Sequence, residues 1–343
     1  MNGAMRNLRP GVVALVAGLL VASLFLYLLS HRRSAASFDE SFTEWERGLR
    51  PEVGGTGRKD YLGNGTFVLN PVESILDAPC RRNTGPLVQR MRETQREINR
   101  MFQRTVENAT TRYELLPGFF RPAMDGFRYV LRPFKYWARD EYKHFLEFSD
   151  PNAPCNHITF GVGGSWDGEK SLRIKYPQCK MMGVEPIEPL SRPVVESDPN
   201  SRFVHAAISD VPSKKTALVR DKNGAIIGRT EFKIRNFAEL LMNENEGRTV
   251  DFMTIDVEGA EFPIMRMLHE KRAELPVICQ WNVEVHYKEK NYGVTWAEFD
   301  QNLNQMLDEA YWVLLNVDER TQKYRRLFFI NVGAEECVTK FLC

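Results

Sequence analysis

Cysteine is scarce. The six in 343 residues include no CxxC pair and none at zinc-ligand spacing from a histidine, which excludes a disulfide-built scaffold and a structural zinc site. An excess of charge of either sign is also missing. The 46 Lys and Arg stand against 45 Asp and Glu, a net charge of +1, so there is no basic field for nucleic acid, which is not expected as a partner. The dinucleotide fingerprint GxGxxG fails as well, because Trp166 stands where a third glycine would follow Gly161 and Gly163. What remains is 43% hydrophobic and 27% charged, enough for one large domain with appendages or two small ones, and incompatible with disorder throughout.

One long apolar run is present. Residues 12–29, VVALVAGLLVASLFLYLL, carry no charge and as a helix would span roughly 27 Å. The run exceeds a usual signal-peptide core, and His31-Arg32-Arg33 precedes the small residues Ser34-Ala35-Ala36. The expectation is an uncleaved transmembrane signal anchor over 11–30 rather than a cleaved signal peptide. A cytosolic tail of residues 1–10 would make it a single-pass type II protein of the Golgi or another secretory-pathway membrane, catalytic domain in the lumen. Arg6 and Arg9 against Arg32 and Arg33 leave orientation undecided on charge alone. The sequons at Asn64 and Asn108 are compatible with a lumenal domain.

Residues 31–84 are polar and glycine-rich and read as a stem. An N-terminal helical and aromatic-rich region is expected over 85–150, before a catalytic domain over 151–343. Leu87, Met91, Ile98, Met101 and Phe102 recur at helical spacing, and this helix of residues 85–110 is the expected surface for a homodimer. Arg92, Arg96, Arg100 and Arg104 fall at i+4 intervals, either an anion-binding stripe or a solvated face. The aromatics of 114–148 are either core of the following domain or a cap over its mouth.

From His157 the chain alternates short apolar and amphipathic runs. Strands are expected at 157–162, 180–184, 203–208, 250–255, 277–285, 312–317 and 327–332. Helices are expected at 168–176, from Phe237, at 261–270, and from the capping box Thr295-Trp296-Ala297-Glu298 to about Glu309. Asn223-Gly224 marks a hairpin. This pattern predicts an α/β fold, a Rossmann-like open sheet, mostly parallel, closing in a C-terminal antiparallel hairpin.

Ligands of such sheets bind beyond the carboxyl ends of the strands. The first strand ends in Phe160-Gly161-Val162-Gly163-Gly164, the second in Gly183-Val184-Glu185-Pro186. A glycine turn followed by a strand-end acid is the pairing that holds an adenosine-containing ligand by its ribose. The stretch VDFMTIDVEGAE, residues 250–261, carries Asp256, Glu258 and Glu261 around Gly259. Here the chain resembles the FkbM family of S-adenosylmethionine-dependent methyltransferases, through IDVEGAE, VEP at 184–186, AAISD at 206–210 and VEVH at 283–286, in the family's order. The resemblance spans about 155–332 and implies a class I methyltransferase fold with S-adenosyl-L-methionine as cofactor. It implies that Gly161 and Gly163 line the cofactor, Glu185 holds its ribose, Ile208 to Asp210 lie near the adenine, and Asp256 lies beside the methyl-donor end. The family usually has an acid just before its first glycine; this chain has Thr159-Phe160, with Asp167 and Glu169 nearby in sequence.

The family's chemistry implies O-methylation, often of sugars. With the anchor and stem, the expected partner is a glycan or glycoprotein acceptor in the secretory pathway. Removing a hydroxyl proton needs a base, and His286 with Asp256 is the expected pair, with Glu258 beside them. Glu258 and Glu284 as mere orienting groups, or Asp256 and Glu284 as ligands of a Mg²⁺ ion, are the alternatives. A lumenal binding subunit with a degenerate fold, or an enzyme acting on a lipid or small molecule, are the rival functions. Cys279, inside an apolar strand, is expected to be a buried free thiol.

Overall fold

Runs of alternating period lay down the chain in the expected order. α1 (Thr84–Thr105) and α2 (Ala109–Asp125) lead to a hairpin of β1 (Pro133–Ala138) and β2 (Glu141–Leu146). Then come β3 (Asn156–Phe160), α3 (Asp167–Lys175), β4 (Lys180–Glu185), α4 (Glu188–Glu196), β5 (Ser201–His205), β6 (Ala207–Ser209), β7 (Ser213–Arg220) and β8 (Ile226–Asn236). The chain closes with α5 (Phe237–Asn243), β9 (Phe252–Ile255), α6 (Glu261–Glu270), β10 (Gln280–His286), α7 (Trp296–Glu309), β11 (Trp312–Asp318), β12 (Tyr324–Asn331) and α8 (Glu335–Phe341). This computed structural model describes residues 84–342 apart from 107–108, 126, 128–130, 132, 139–140, 210–212, 221–225, 258, 287–294 and 319–323. The tail, the anchor expected at 11–30, the stem up to residue 83 and the Asn64 and Asn108 sequons therefore lie outside the described residues. Among the described residues no helix is long and apolar enough to cross a membrane.

The central sheet has seven strands in the order β11-β12-β10-β9-β3-β4-β5. β10, β9, β3, β4 and β5 run parallel, and β12 runs antiparallel to both its neighbours, the expected closing hairpin. β3 pairs with β4 on one side and β9 on the other. The chain thus reverses its direction of winding at β3, and in such sheets ligands bind at that switch point, here beyond the carboxyl ends of β3 and β9. The apolar run expected at 203–208 divides: β5 stays in the central sheet, while β6 joins β8 and β7 in a separate three-stranded sheet.

The aromatic segment before residue 150 supplies core. Phe145 and Phe148 meet Phe252 at 4.9 and 5.1 Å between ring centroids, and Phe148 stacks on Phe341 at 4.8 Å. Two side-chain amides of β10 clamp the backbone of β2. Gln280 accepts from Leu146 N–H at 2.6 Å, and Asn282 donates to the His144 carbonyl at 2.7 Å. The hairpin is thereby held across the sheet beside the strand that carries Glu284 and His286. On the opposite face Trp281 stacks on Phe329 at 4.2 Å.

The amphipathic α1 buries Met91, Ile98 and Phe102 within its own chain, while Met101 of the same stripe stays exposed. Half of its arginine stripe is used within the chain as well. Arg92 donates to the carbonyls of Ala310 and Val332, and Arg96 to those of Asp308 and Glu309. Three of these four carbonyls, those of Asp308, Glu309 and Ala310, lie at the open C-terminus of α7, where cations are favoured. Between them Gln95 accepts from Leu314 N–H at 2.7 Å and donates to Trp312 O at 2.8 Å, covering the edge strand β11. Arg100 and Arg104 are exposed.

One expectation is corrected here. Cys279 is not a free thiol: it is disulfide-bonded to Cys337, and Cys155 is bonded to Cys179. The first bridge ties the entrance of β10 to α8; the second joins the segments that lead into β3 and β4. Burial inside an apolar strand reads the same for a thiol and for half a cystine, because the partner arrives from a helix 58 residues on.

Candidate active site

The glycine turn after β3 is shaped by the strand beside it. Gly161 has φ +85°, and a Cβ there would overlap the Asp256 carbonyl oxygen. Only glycine permits that approach, and it lets Asp256 N–H donate to Phe160 O at 2.8 Å while Gly161 N–H donates to Val184 O at 2.9 Å. Gly163, at φ +59°, faces open space: no heavy atom lies within 4 Å of where its Cβ would be. Beside it stands Glu185, a buried carboxylate at the end of β4 that accepts from Gly163 N–H at 3.2 Å and Ile187 N–H at 2.9 Å. A carboxylate fixed by two backbone donors, next to a concave glycine turn, fits the ribose of an adenosine-containing ligand. Ile208 is buried in β6, in the separate sheet. Asp210 lies outside the described residues.

The second half of the site forms where β9 and β10 end. Their register pairs Thr254 with Asn282 and Ile255 with Val283. The next step sets Asp256 beside Glu284, with His286 two residues on along the same face. His286 Nε2 lies 3.4 Å from Glu284 Oε1 and 3.8 Å from Asp256 Oδ1. Its Nδ1 is 3.0 Å from Glu261 Oε1. Glu261 opens α6 with 0% of its surface exposed, and it also accepts from Val257 N–H at 2.9 Å and Gly259 N–H at 2.8 Å. One buried carboxylate therefore shapes the 256–260 turn and orients the imidazole. Glu284 is paired with Arg326 Nε at 2.7 Å, and that guanidinium covers the Tyr324 ring at 4.8 Å.

Burial alone would pull the His286 pKa down, but hydrogen bonds to Glu261 and Glu284 and the charges of Glu261 and Asp256 outweigh it and push it up to about 11. Burial raises the Glu284 pKa, and His286, Arg326 and Lys143 reverse that, leaving it below the ordinary value. The free site thus holds an imidazolium among carboxylates. Asp256, with 32% of its side chain exposed, is the member that reaches solvent.

Of the expected residues, the structure brings Asp256 and His286 together, and it sets Glu185 beside the Gly161–Gly163 turn. Glu258 lies outside the described residues. The orienting role of Glu261 has no sequence signal, since an acid in the first turn of a helix is ordinary. Arg326 has a weak one, an arginine entering an otherwise apolar strand. At the position lacking the family's acid, Thr159 Oγ1 donates to the buried Glu169 at 2.6 Å. Of the two nearby acids, Glu169 is thus brought to Thr159; Asp167 instead meets the Ser165 hydroxyl at 3.3 Å.

An open, mostly parallel sheet with a glycine turn, a fixed carboxylate at the second strand and an acidic cluster at the switch point has the form of a class I methyltransferase. The Methyltransferase FkbM domain matches residues 124–311, more than half of the chain, and the chain belongs to that family. The match is to a methyltransferase domain, and the cofactor of that family and fold is S-adenosylmethionine. No curated protein sequence matches it. Among solved structures, the METTL16 methyltransferase domain is 10% identical at TM-score 0.34, with 54% of this chain and 62% of that chain covered. Fibrillarin from Aeropyrum pernix, with natively bound S-adenosyl-L-methionine, is 11% identical at TM-score 0.30, over 53% of this chain and 69% of that one. A 16S rRNA (adenine(1408)-N(1))-methyltransferase from Catenulisporales acidiphilia is 13% identical at TM-score 0.30, over 59% and 98%. The chain thus covers less than two thirds of the first of these.

Proposed function

We propose that the protein O-methylates a sugar hydroxyl on glycans or glycoproteins in the secretory pathway. The observation that carries this reading is the Asp256–Glu284–His286 cluster at the switch point, which reaches solvent through Asp256. S-adenosylmethionine, when bound, supplies an electrophilic methyl group; Glu185 and the Gly161–Gly163 turn are the residues fit to hold it. A hydroxyl that accepted this methyl group would give up its proton toward the carboxylates of the cluster. Glu261 fixes the imidazole and Arg326 fixes Glu284, so the groups that meet the hydroxyl are held in place before it arrives. Burial of Glu284 and His286 keeps water from weakening these charges.

Two further observations support a lumenal site. Cys155–Cys179 and Cys279–Cys337 are disulfides, bonds that persist in oxidising compartments, and the charge-free run 12–29 precedes the domain as an anchor would. The test is mass spectrometry of glycans from cells with and without the protein. Glycans that lose one methyl substituent when the protein is absent, with His286→Ala failing to restore it, are expected. An unchanged glycan profile together with methyl transfer to lipid would overturn the glycan reading.

A further inference from the structure

Three side chains of that cluster converge from two strand ends. One ligand-capable atom from each of Asp256, Glu284 and His286 lies within 4.8 Å of the others, and two of the three residues are buried. We propose that Asp256, Glu284 and His286 bind a hydrated divalent cation, of the Mn²⁺ or Mg²⁺ type, to which the acceptor hydroxyl is brought. The proposal rests on the methyltransferase reading and refines how the hydroxyl is activated.

Three observations outside the donor set support it. The first is the orientation of the imidazole. Histidines that ligate metals characteristically donate their other N–H to a carboxylate, and the fully buried Glu261 takes His286 Nδ1 at 3.0 Å, turning Nε2 toward Asp256 and Glu284. The second is a buried hydroxyl. Thr254 Oγ1 is buried and has no hydrogen-bond partner among the described groups. It lies two residues before Asp256, beside Asn282, on the face that carries the cluster. A water in the shell of a cation would give it one. The third is charge. Asp256, Glu261 and Glu284 lie 3.8, 3.0 and 3.4 Å from the His286 ring nitrogens, so a cation that takes the place of the imidazolium proton meets an anionic donor set. Two carboxylates and one imidazole suit Mn²⁺ at least as well as Mg²⁺. The partly exposed Asp256 leaves a way in from solvent. A hydroxyl on such a cation loses its proton more readily, and the proton leaves through the water at that exposed edge.

The experiment is titration of Mn²⁺ into the purified full-length protein, read by the electron paramagnetic resonance signal of unbound Mn²⁺, with S-adenosylmethionine binding measured in parallel by calorimetry. A saturable site is expected in the native protein. It should be lost in Asp256→Asn and Glu284→Gln, weakened roughly tenfold to hundredfold in Glu261→Gln, and unchanged in Glu196→Gln on the surface of α4. Protein that binds S-adenosylmethionine but not Mn²⁺, or Asp256→Asn binding Mn²⁺ as the native protein does, would overturn the site. Should Glu284→Gln fail to fold through loss of its buried Arg326 pair, Asp256→Asn decides. Native protein that binds Mn²⁺ but no S-adenosylmethionine would count against the methyltransferase reading and leave the cation site standing.

Discussion

Substituting alanine at Gly161 and, separately, at Gly163 separates two reasons for keeping glycine in one turn. Both positions have positive φ, +85° and +59°, and an L-residue held there costs about 1–2 kcal/mol. At Gly163 that is the whole effect, since the added methyl meets open space. At Gly161 the methyl collides with the Asp256 carbonyl, backbone rather than a flexible side-chain end. β3 and β9 must then part where Asp256 N–H donates to Phe160 O at 2.8 Å. Forced shifts of this kind add about 1–3 kcal/mol. Gly161→Ala should thus lose about 2–5 kcal/mol in urea denaturation, Gly163→Ala no more than about 2. The functional order differs. Gly163→Ala fills the cradle beside Glu185 and should weaken S-adenosylmethionine binding, whereas Gly161→Ala displaces Asp256 and should lower kcat as well. Equal stability of the two variants would refute the argument that the Asp256 backbone dictates glycine at 161.

His157 is fully buried, and burial, then Arg173 and Lys143, lower its pKa to about 3. The unfolded chain takes the proton first, so stability is full above pH 6.5 and falls by about 1.4 kcal/mol per pH unit toward pH 3. His157→Leu should flatten the acid limb of a stability–pH curve, and an unaltered slope would be the contrary result. Reducing the disulfides, which close separations of 24 and 58 residues, should remove about 3–4 kcal/mol each; a denaturation midpoint indifferent to reductant would show that they do not hold the fold. Glu185→Ala should weaken S-adenosylmethionine binding by roughly tenfold to 150-fold, the loss of charge-assisted bonds to a diol. Calorimetry giving the native affinity would take Glu185 out of the site.

Elements with a local signal were legible. α6 occupies Glu261–Glu270 as its apolar spacing indicates, and the capping box at Thr295 forms, with Glu298 N–H donating to the Thr295 hydroxyl at 3.2 Å. α4 was hidden by Pro189 and Pro193: the first sits in the opening turn, where a missing N–H does no harm, and the second is carried inside a helix of nine residues. The β1–β2 hairpin starts at Pro133 and has no alternation, because the amides of Gln280 and Asn282 hold it from outside its own sequence. Asp256 and His286 could be read from their strand ends. The roles of Glu261, Arg326 and Thr254 could not, since they arise from strand register and from the docking of α6.

The central claim, a methyltransferase built at this switch point, is tested most directly by adding S-adenosylmethionine to the purified full-length protein in a calorimeter. Saturable binding is expected, weakened in Glu185→Ala and near the native value in His286→Ala. A folded native protein that takes up no S-adenosylmethionine would contradict it.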